Sequence, residues 1–180
     1  MKKLIVTFAL TMFSAQVANA AGGYYAGISA GPSGISSDVC DGLPIRCDFS
    51  DRGWKIFGGY QATKRFGLEI SFVDFGEFTA TGPGGTATIE ISGFSFVGTG
   101  TVPVSERFGL FGKIGLFRWD KEERISGGGQ SASIENDGTR LIYGLGAKVK
   151  ATERVSVRVE WERFSRDNLN LLSAGIALSF

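Results

Sequence analysis

The chain has no histidine. The base that most often activates a serine or cysteine nucleophile is therefore missing, and so is the commonest nitrogen ligand of zinc. Phosphate cradles are missing too. "GLFGKIG" contains Gly112-Lys113 without a following Ser or Thr, and "GLGAKV" lacks the third glycine of a dinucleotide fingerprint. Glu160 and Glu162 alternate on one strand, but no cleft accompanies them for paired-carboxylate glycoside chemistry. The sequence predicts no catalysis, no metal and no cofactor.

An excess of one charge is also lacking. Lys and Arg number 19 against 18 Asp and Glu, and setting aside Lys2 and Lys3 leaves 17 against 18. No basic face is expected, hence no nucleic-acid partner. Nor does any apolar run reach the roughly 20 residues of a spanning helix. The start, "MKKLIVTFALTMFSAQVANA", has two lysines, an apolar run from Leu4 to Phe13 and an Ala18-Asn19-Ala20 site. This is the pattern of a secretory signal peptide over 1–20, cleaved near Ala20, with a single domain over 21–180. Cysteine is scarce: Cys40 and Cys47 lie in "CDGLPIRC". In an exported chain they are expected to form a disulfide, worth roughly 2–3 kcal/mol on the chain-entropy model. The spacing is not that of a CxxC pair, and no histidine is available for a metal site.

What is present is alternation. The ending "NLNLLSAGIALSF" places Leu172, Ala174, Ile176, Leu178 and Phe180 on one face, with Ser173, Gly175, Ala177 and Ser179 on the other. Similar period-two segments predict eight strands, at about 24–31, 53–62, 67–76, 88–101, 108–119, 138–150, 154–164 and 169–180. The connections between them alternate. "ATKRF", "VPVSERF" and "KATERV" are short, whereas 32–52, 77–87 and 120–137 read as long polar loops and "SRDN" as a short one. Short turns at one end and long loops at the other are the layout of an antiparallel transmembrane barrel with an even number of strands.

The aromatics give the same polarity. Phe66, Phe108 and Phe180 fall at the turn-side ends, and Trp54, Trp119 and Trp161 at the loop-side ends, as two interfacial belts would. Strict alternation turns Trp119 inward, so its place in the belt needs a bulge. Charges fall on the face opposite the apolar one: Lys55, Glu69, Glu90, Lys113, Lys148, Arg158 and Glu160. In a membrane barrel that face is the lumen, and the mixture of signs predicts a salt-bridge network that acts as a polar plug or lines an ion path.

"YGLGAKVKATERVSVRVEWERF", the terminal "GIALSF" and the strand pattern resemble the OmpA-like membrane domain, a family of small eight-stranded outer-membrane barrels that includes the Ail/OmpX and opacity-protein relatives. The resemblance implies an all-β, eight-stranded, up-and-down transmembrane barrel in the cell outer membrane. It also implies a C-terminal strand, here Leu172 to Phe180, recognised by the barrel assembly machinery. Two-domain relatives carry a peptidoglycan-binding domain after the barrel, and none is expected after Phe180. The histidine-using barrel enzymes are not matched. Three functions are then open. The first is a structural or surface-interaction barrel, bedded in outer-membrane lipid and meeting a host or surface ligand through 32–52, 77–87 and 120–137. The second is a small pore using Glu69, Lys113, Arg158 and Glu160. The third is a soluble carrier of apolar ligands.

Overall fold

The computed structural model describes residues 22–35, 46–48, 50–82, 85–127, 130–165 and 169–180. These form nine strands: β1 (Gly23–Ile35), β2 (Arg46–Asp48), β3 (Ser50–Gln61), β4 (Phe66–Gly82), β5 (Gly85–Pro103), β6 (Phe108–Gly127), β7 (Gln130–Lys150), β8 (Val155–Phe164) and β9 (Leu169–Ser179). Eight of them pair antiparallel with their neighbours around a closed ring, and the ring is completed where β1 meets β9, with Ile28 opposite Ile176. The short β2 lies outside the ring, its Arg46–Asp48 paired with Thr79–Thr81 of β4. Closure satisfies every strand edge inside a bilayer, where an unpaired amide has no water to turn to.

The repeated turn motif has a local cause. In "TKRF", the Thr63 hydroxyl oxygen accepts the amides of Arg65 (3.2 Å) and Phe66 (3.0 Å). In "SERF", Ser105 Oγ accepts the Phe108 amide at 3.0 Å. In "TERV", Thr152 Oγ1 accepts the amides of Arg154 (3.3 Å) and Val155 (3.0 Å). A Ser or Thr at the first position thus bends the chain with its own oxygen, as short hydroxyl-bearing side chains do in turns.

At the other end, two expected loops are strands instead. β4 and β5 pair out to Gly82 opposite Gly85, and β6 and β7 pair without a register shift from Phe108–Val149 to Gly127–Gln130. The ranges 77–87 and 120–137 are therefore mostly the far ends of two long hairpins. Both faces there carry polar residues, so the hydrophobic alternation that reveals a strand is absent. Part of 32–52 is also extended, in β1, β2 and β3, while 36–45 lies outside the described residues.

One irregularity separates barrel from extension. The β4–β5 register shifts between Asp74 and Glu77, at Gly76, whose φ of 77° is left-handed and suits glycine. The bulge is held by two carboxylates. Asp74 Oδ1 accepts the Gly76 amide at 2.8 Å and Asp51 Oδ2 accepts the Glu77 amide at 2.7 Å. Because one residue is inserted, Phe75 and Phe78 both face inward.

The barrel is inverted relative to a soluble one. Phe96 is 58% exposed on the outer face while Lys55 is fully buried inside. The interior, however, is not polar throughout. Val73, Phe75, Phe78, Ile91, Val97, Phe117, Ile142, Phe164, Leu169 and Leu171 fill its loop-side half. Phe75, Phe117 and Phe164 meet edge-to-face, with ring centroids 4.7–5.9 Å apart. The inward face of β4 shows the change along one strand: Glu69 and Ser71, then Val73 and Phe75.

Candidate functional site

Six charged side chains from four strands form one layer across the lumen beneath this apolar plug. Lys55 comes from β3, Glu69 from β4, Lys113 from β6, and Arg158, Glu160 and Glu162 from β8. Lys55 Nζ lies 2.6 Å from Glu160 Oε1 and 2.5 Å from Glu162 Oε2. Lys113 Nζ contacts Glu160 Oε2 as well as Glu69 Oε1 at 3.4 Å. It also sits 2.8 Å from Glu162 Oε1, yet that oxygen has no partner in hydrogen-bonding geometry, so the contact is Coulombic. Arg158 forks, one nitrogen 2.7 Å from Glu69 Oε2 and the other 2.7 Å from Glu160 Oε2. Its guanidinium also lies over the rings of Phe57 and Phe111, 4.1 and 4.9 Å from the centroids. The Tyr25 hydroxyl donates to Glu69 Oε2 at 3.1 Å.

Three cations and three carboxylates therefore cancel in a buried layer. Each charge alone would cost several kcal/mol to bury. Glycine makes the layer possible: Gly144 stands directly across from Glu162, where a Cβ would come 3.2 Å from Glu162 Cγ. The charged groups and the phenylalanines above them occupy the lumen as two successive layers, one ionic and one aromatic.

Of the expected lumen set, the structure brings Lys55, Glu69, Lys113, Arg158 and Glu160 together. Glu90 is corrected: it lies on the outer face of β5, with its side chain 38% exposed and 3.5 Å from Arg124. The alternation in "TIEISGFSF" does not change register, but its apolar face does. Ile89 and Ile91 point in whereas Phe94 and Phe96 point out. Lys148 faces inward but stands below the layer, donating to Thr101 Oγ1 at 3.2 Å. Glu162 and Tyr25 were missing from the expected set. Glu162 continues the Arg158–Glu160 alternation, which was the available signal. For Tyr25 the only clue was the inward parity of "YYAGISAG".

Trp119 is likewise corrected. β6 keeps a continuous register with both neighbours, so no bulge intervenes and the ring points inward against the apolar cluster, with Arg140 4.5 Å from its centroid. Trp54 is exposed on the outer face, and Trp161 is half-buried there beside Tyr143. Phe66 is exposed at the turn end and Phe108 half-buried. Leu172, Ala174, Ile176, Leu178 and Phe180 are exposed on the outer side of β9. The Phe180 amide donates to Tyr24 O at 2.9 Å, so the last residue is pinned to the first strand. Cys40 and residues 1–20 lie outside the described residues, as does the side chain of Cys47, which sits in β2.

Beyond the rim, β4 to β7 continue as one sheet, with the short β2 added along the outer part of β4. β8 stops at Phe164 opposite Ile142, so among the described residues the outer part of β7 pairs only with β6. One row across this sheet is all glutamate: Glu77 opposite Glu90, Glu90 opposite Glu122, Glu122 opposite Glu135. Like charges directly opposed disfavour a sheet. Arg124 offsets two of them, 2.9 Å from Glu122 and 3.5 Å from Glu90.

A closed eight-stranded ring with an apolar exterior and a plugged interior narrows the family, and the sequence profile of the outer membrane protein beta-barrel domain matches residues 5–180. The chain belongs to that family. This outer membrane barrel shares its fold with OprG from Pseudomonas aeruginosa (TM-score 0.60, 14% identity, 89% of this chain and 96% of that one). Ail, the attachment invasion locus protein of Yersinia pestis, solved with the heparin analogue sucrose octasulfate, is similar at TM-score 0.59 and 20% identity, over 88% of this chain and 99% of Ail. Neisserial surface protein A follows at 0.55 and 15%, over 87% and 97%. No curated protein sequence matches this outer membrane barrel at a significant level.

Proposed function

We propose that this barrel is a non-conducting platform that holds a rigid β-sheet above the outer membrane as a surface for contact with other molecules. The observation that carries the reading is the β4–β7 extension, two hairpins continuous with the barrel wall. Short turns face the periplasm in such barrels, which puts the extension outside the cell. Ail, named for attachment and invasion and seen with a polyanionic heparin analogue, supports a contact role for this architecture. The outer face here carries the glutamate row, so its partner is of a different kind: a basic or neutral surface. On this reading residues 1–20 are removed on export, the Cys40–Cys47 disulfide pins the loop beside β2, and no catalytic step is involved.

The test removes residues 121–136 and rejoins Asp120 to Asp137, which are opposite each other, through Asn-Gly. The shortened barrel is expected to insert as well as wild type but to lose retention of barrel-bearing liposomes on immobilised basic extracellular proteins. Planar bilayers containing the wild type are expected to show no discrete current steps. Equal retention of both forms would remove the platform reading, and stepwise conductance would restore the small pore.

The same reading gives β9 a role in biogenesis. Its outward Leu172, Ala174, Ile176, Leu178 and Phe180 form the segment proposed to meet the assembly machinery. Phe180→Ala is expected to lower the inserted fraction in cells while leaving refolding into detergent unchanged, as scored by heat-dependent gel migration. A parallel loss in detergent would assign Phe180 to stability instead.

A further inference from the structure

The turn-side half of the lumen is open. Below the charged layer lies a cavity of about 610 Å³, floored by Phe111, Glu69 and Arg158. That volume is in the range of ligand pockets, roughly 300–1,000 Å³. Its charges are unbalanced. Lys55, Lys113 and Arg158 each lie within 4 Å of at least two carboxylates. Lys148 differs: it is half-buried, its hydrogen bond goes to the neutral Thr101 hydroxyl, and no carboxylate lies within ion-pair distance among the described residues.

The strand register sharpens the imbalance. Lys148 is directly opposite Arg158 on β8, a like-charge pair facing one lumen. Arg158 is neutralised by Glu69 and Glu160, so Lys148 carries the excess. The rim adds to it, with Lys64, Arg107, Lys150 and Arg154 against Glu106 and Glu153. A blind, low-dielectric cup with a positive surplus focuses its field on an anion. Hydroxyls are ready on the same wall. Thr101 Oγ1 accepts from Lys148, which leaves its own proton to donate, and Thr99 lies two residues along the same inward face.

We infer that this cup is a binding site for a small oxyanion, a carboxylate or phosphate group, seated on the Lys148 ammonium and the hydroxyls of Thr101 and Thr99. The anion enters only from the turn side, since the charged layer closes the floor. The free ion and the headgroup of a periplasmic-leaflet lipid present the same chemistry to it.

The experiment follows the amide resonances of Thr99, Thr101 and Lys148 in isotopically labelled barrel held in nanodiscs. In zwitterionic phosphatidylcholine discs, inorganic phosphate and acetate are titrated in. In a second arm, phosphatidylglycerol replaces part of the lipid with no added anion. Saturable shifts at these three residues in the first arm identify a free oxyanion, and shifts only in the second identify a lipid headgroup. Either supports the site. Lys148→Met is expected to weaken binding about tenfold or more, as losing a charged hydrogen-bond donor does. Thr101→Val, which keeps the charge, is expected to weaken it less, and Lys150→Met at the rim least. Shifts absent from both arms, or unchanged in Lys148→Met, would overturn the proposal.

Discussion

Replacing Lys113 with methionine is expected to destabilise the barrel by about 3–5 kcal/mol, the usual loss when one partner is removed from a buried ionic group. Lys113 contacts all three carboxylates of the layer, Glu69, Glu160 and Glu162. Without it, those carboxylates share only Lys55 and Arg158, and one negative charge is left buried without compensation. The loss arises from that orphaned charge more than from the missing contacts, which makes the effect reversible by design. Adding Glu162→Gln to the Lys113→Met barrel restores neutrality and is expected to recover a large part of the stability. Urea unfolding in lipid vesicles, followed by tryptophan emission, reads both. A useful control is the exposed pair Arg118–Asp137, 3.3 Å apart with side chains 71% and 64% exposed. Its disruption should change stability by less than about 1 kcal/mol, because water and salt screen it. Equal effects at the two sites would show that the inner layer is hydrated rather than sealed.

Truncating Phe164 to alanine is expected to cost about 3–5 kcal/mol as well, by a different route. The ring is buried and stands 4.8 Å from Phe75 and 4.7 Å from Phe117, centroid to centroid. Removing it forfeits both edge-to-face contacts and leaves a void that β-strands locked into a closed ring cannot collapse to fill. The same variant separates the two layers. The charged layer stays intact beneath the cavity, so Phe164→Ala is expected to remain non-conducting in planar bilayers. Current through this variant would mean that the phenylalanines alone had been closing the barrel.

The architecture was legible in the sequence because lipid imposes one rule on every strand. Leu68, Ile70 and Phe72, or Val155, Val157, Val159 and Trp161, alternate with residues that lipid would reject, and that signal survives in any order of strands. The interior obeys no single rule. Along β4 the inward face passes from Glu69 and Ser71 to Val73 and Phe75, so a polar lumen could be read from the first pair and an apolar one from the second. The misplacement of Glu90 has the same origin. In β5 the outward face carries Glu90 and Ser92 toward the extension and Phe94 and Phe96 on the barrel wall, so chemistry alone mistook a polar exterior for an interior. Trp119 was misassigned because residue type suggested an interface whereas parity, the stronger constraint, pointed inward. The hairpin ends were invisible because polar residues occupy both faces and Phe78 is an isolated buried residue rather than part of an alternation. Which carboxylate meets which cation depends on the stagger between strands, as with Lys55 of β3 reaching Glu160 and Glu162 of β8, and no local pattern encodes that.

The unbroken pairing of β5 with β6, from Pro103 opposite Gly109 to Thr86 opposite Ser126, has a mechanical consequence. The one break in register between barrel and extension lies at Gly76, between β4 and β5, so among the described residues the β5–β6 ladder runs from the extension into the barrel wall without interruption. A pull along the hairpin axis loads many cross-strand hydrogen bonds in parallel, as shear, and is carried into the barrel wall. A sideways pull on the extension loads them one at a time, starting at the outer part of β7, which among the described residues pairs only with β6. The protein should therefore hold firmly under tension normal to the cell surface and peel under drag parallel to it, a difference in rupture force that follows from strand direction alone.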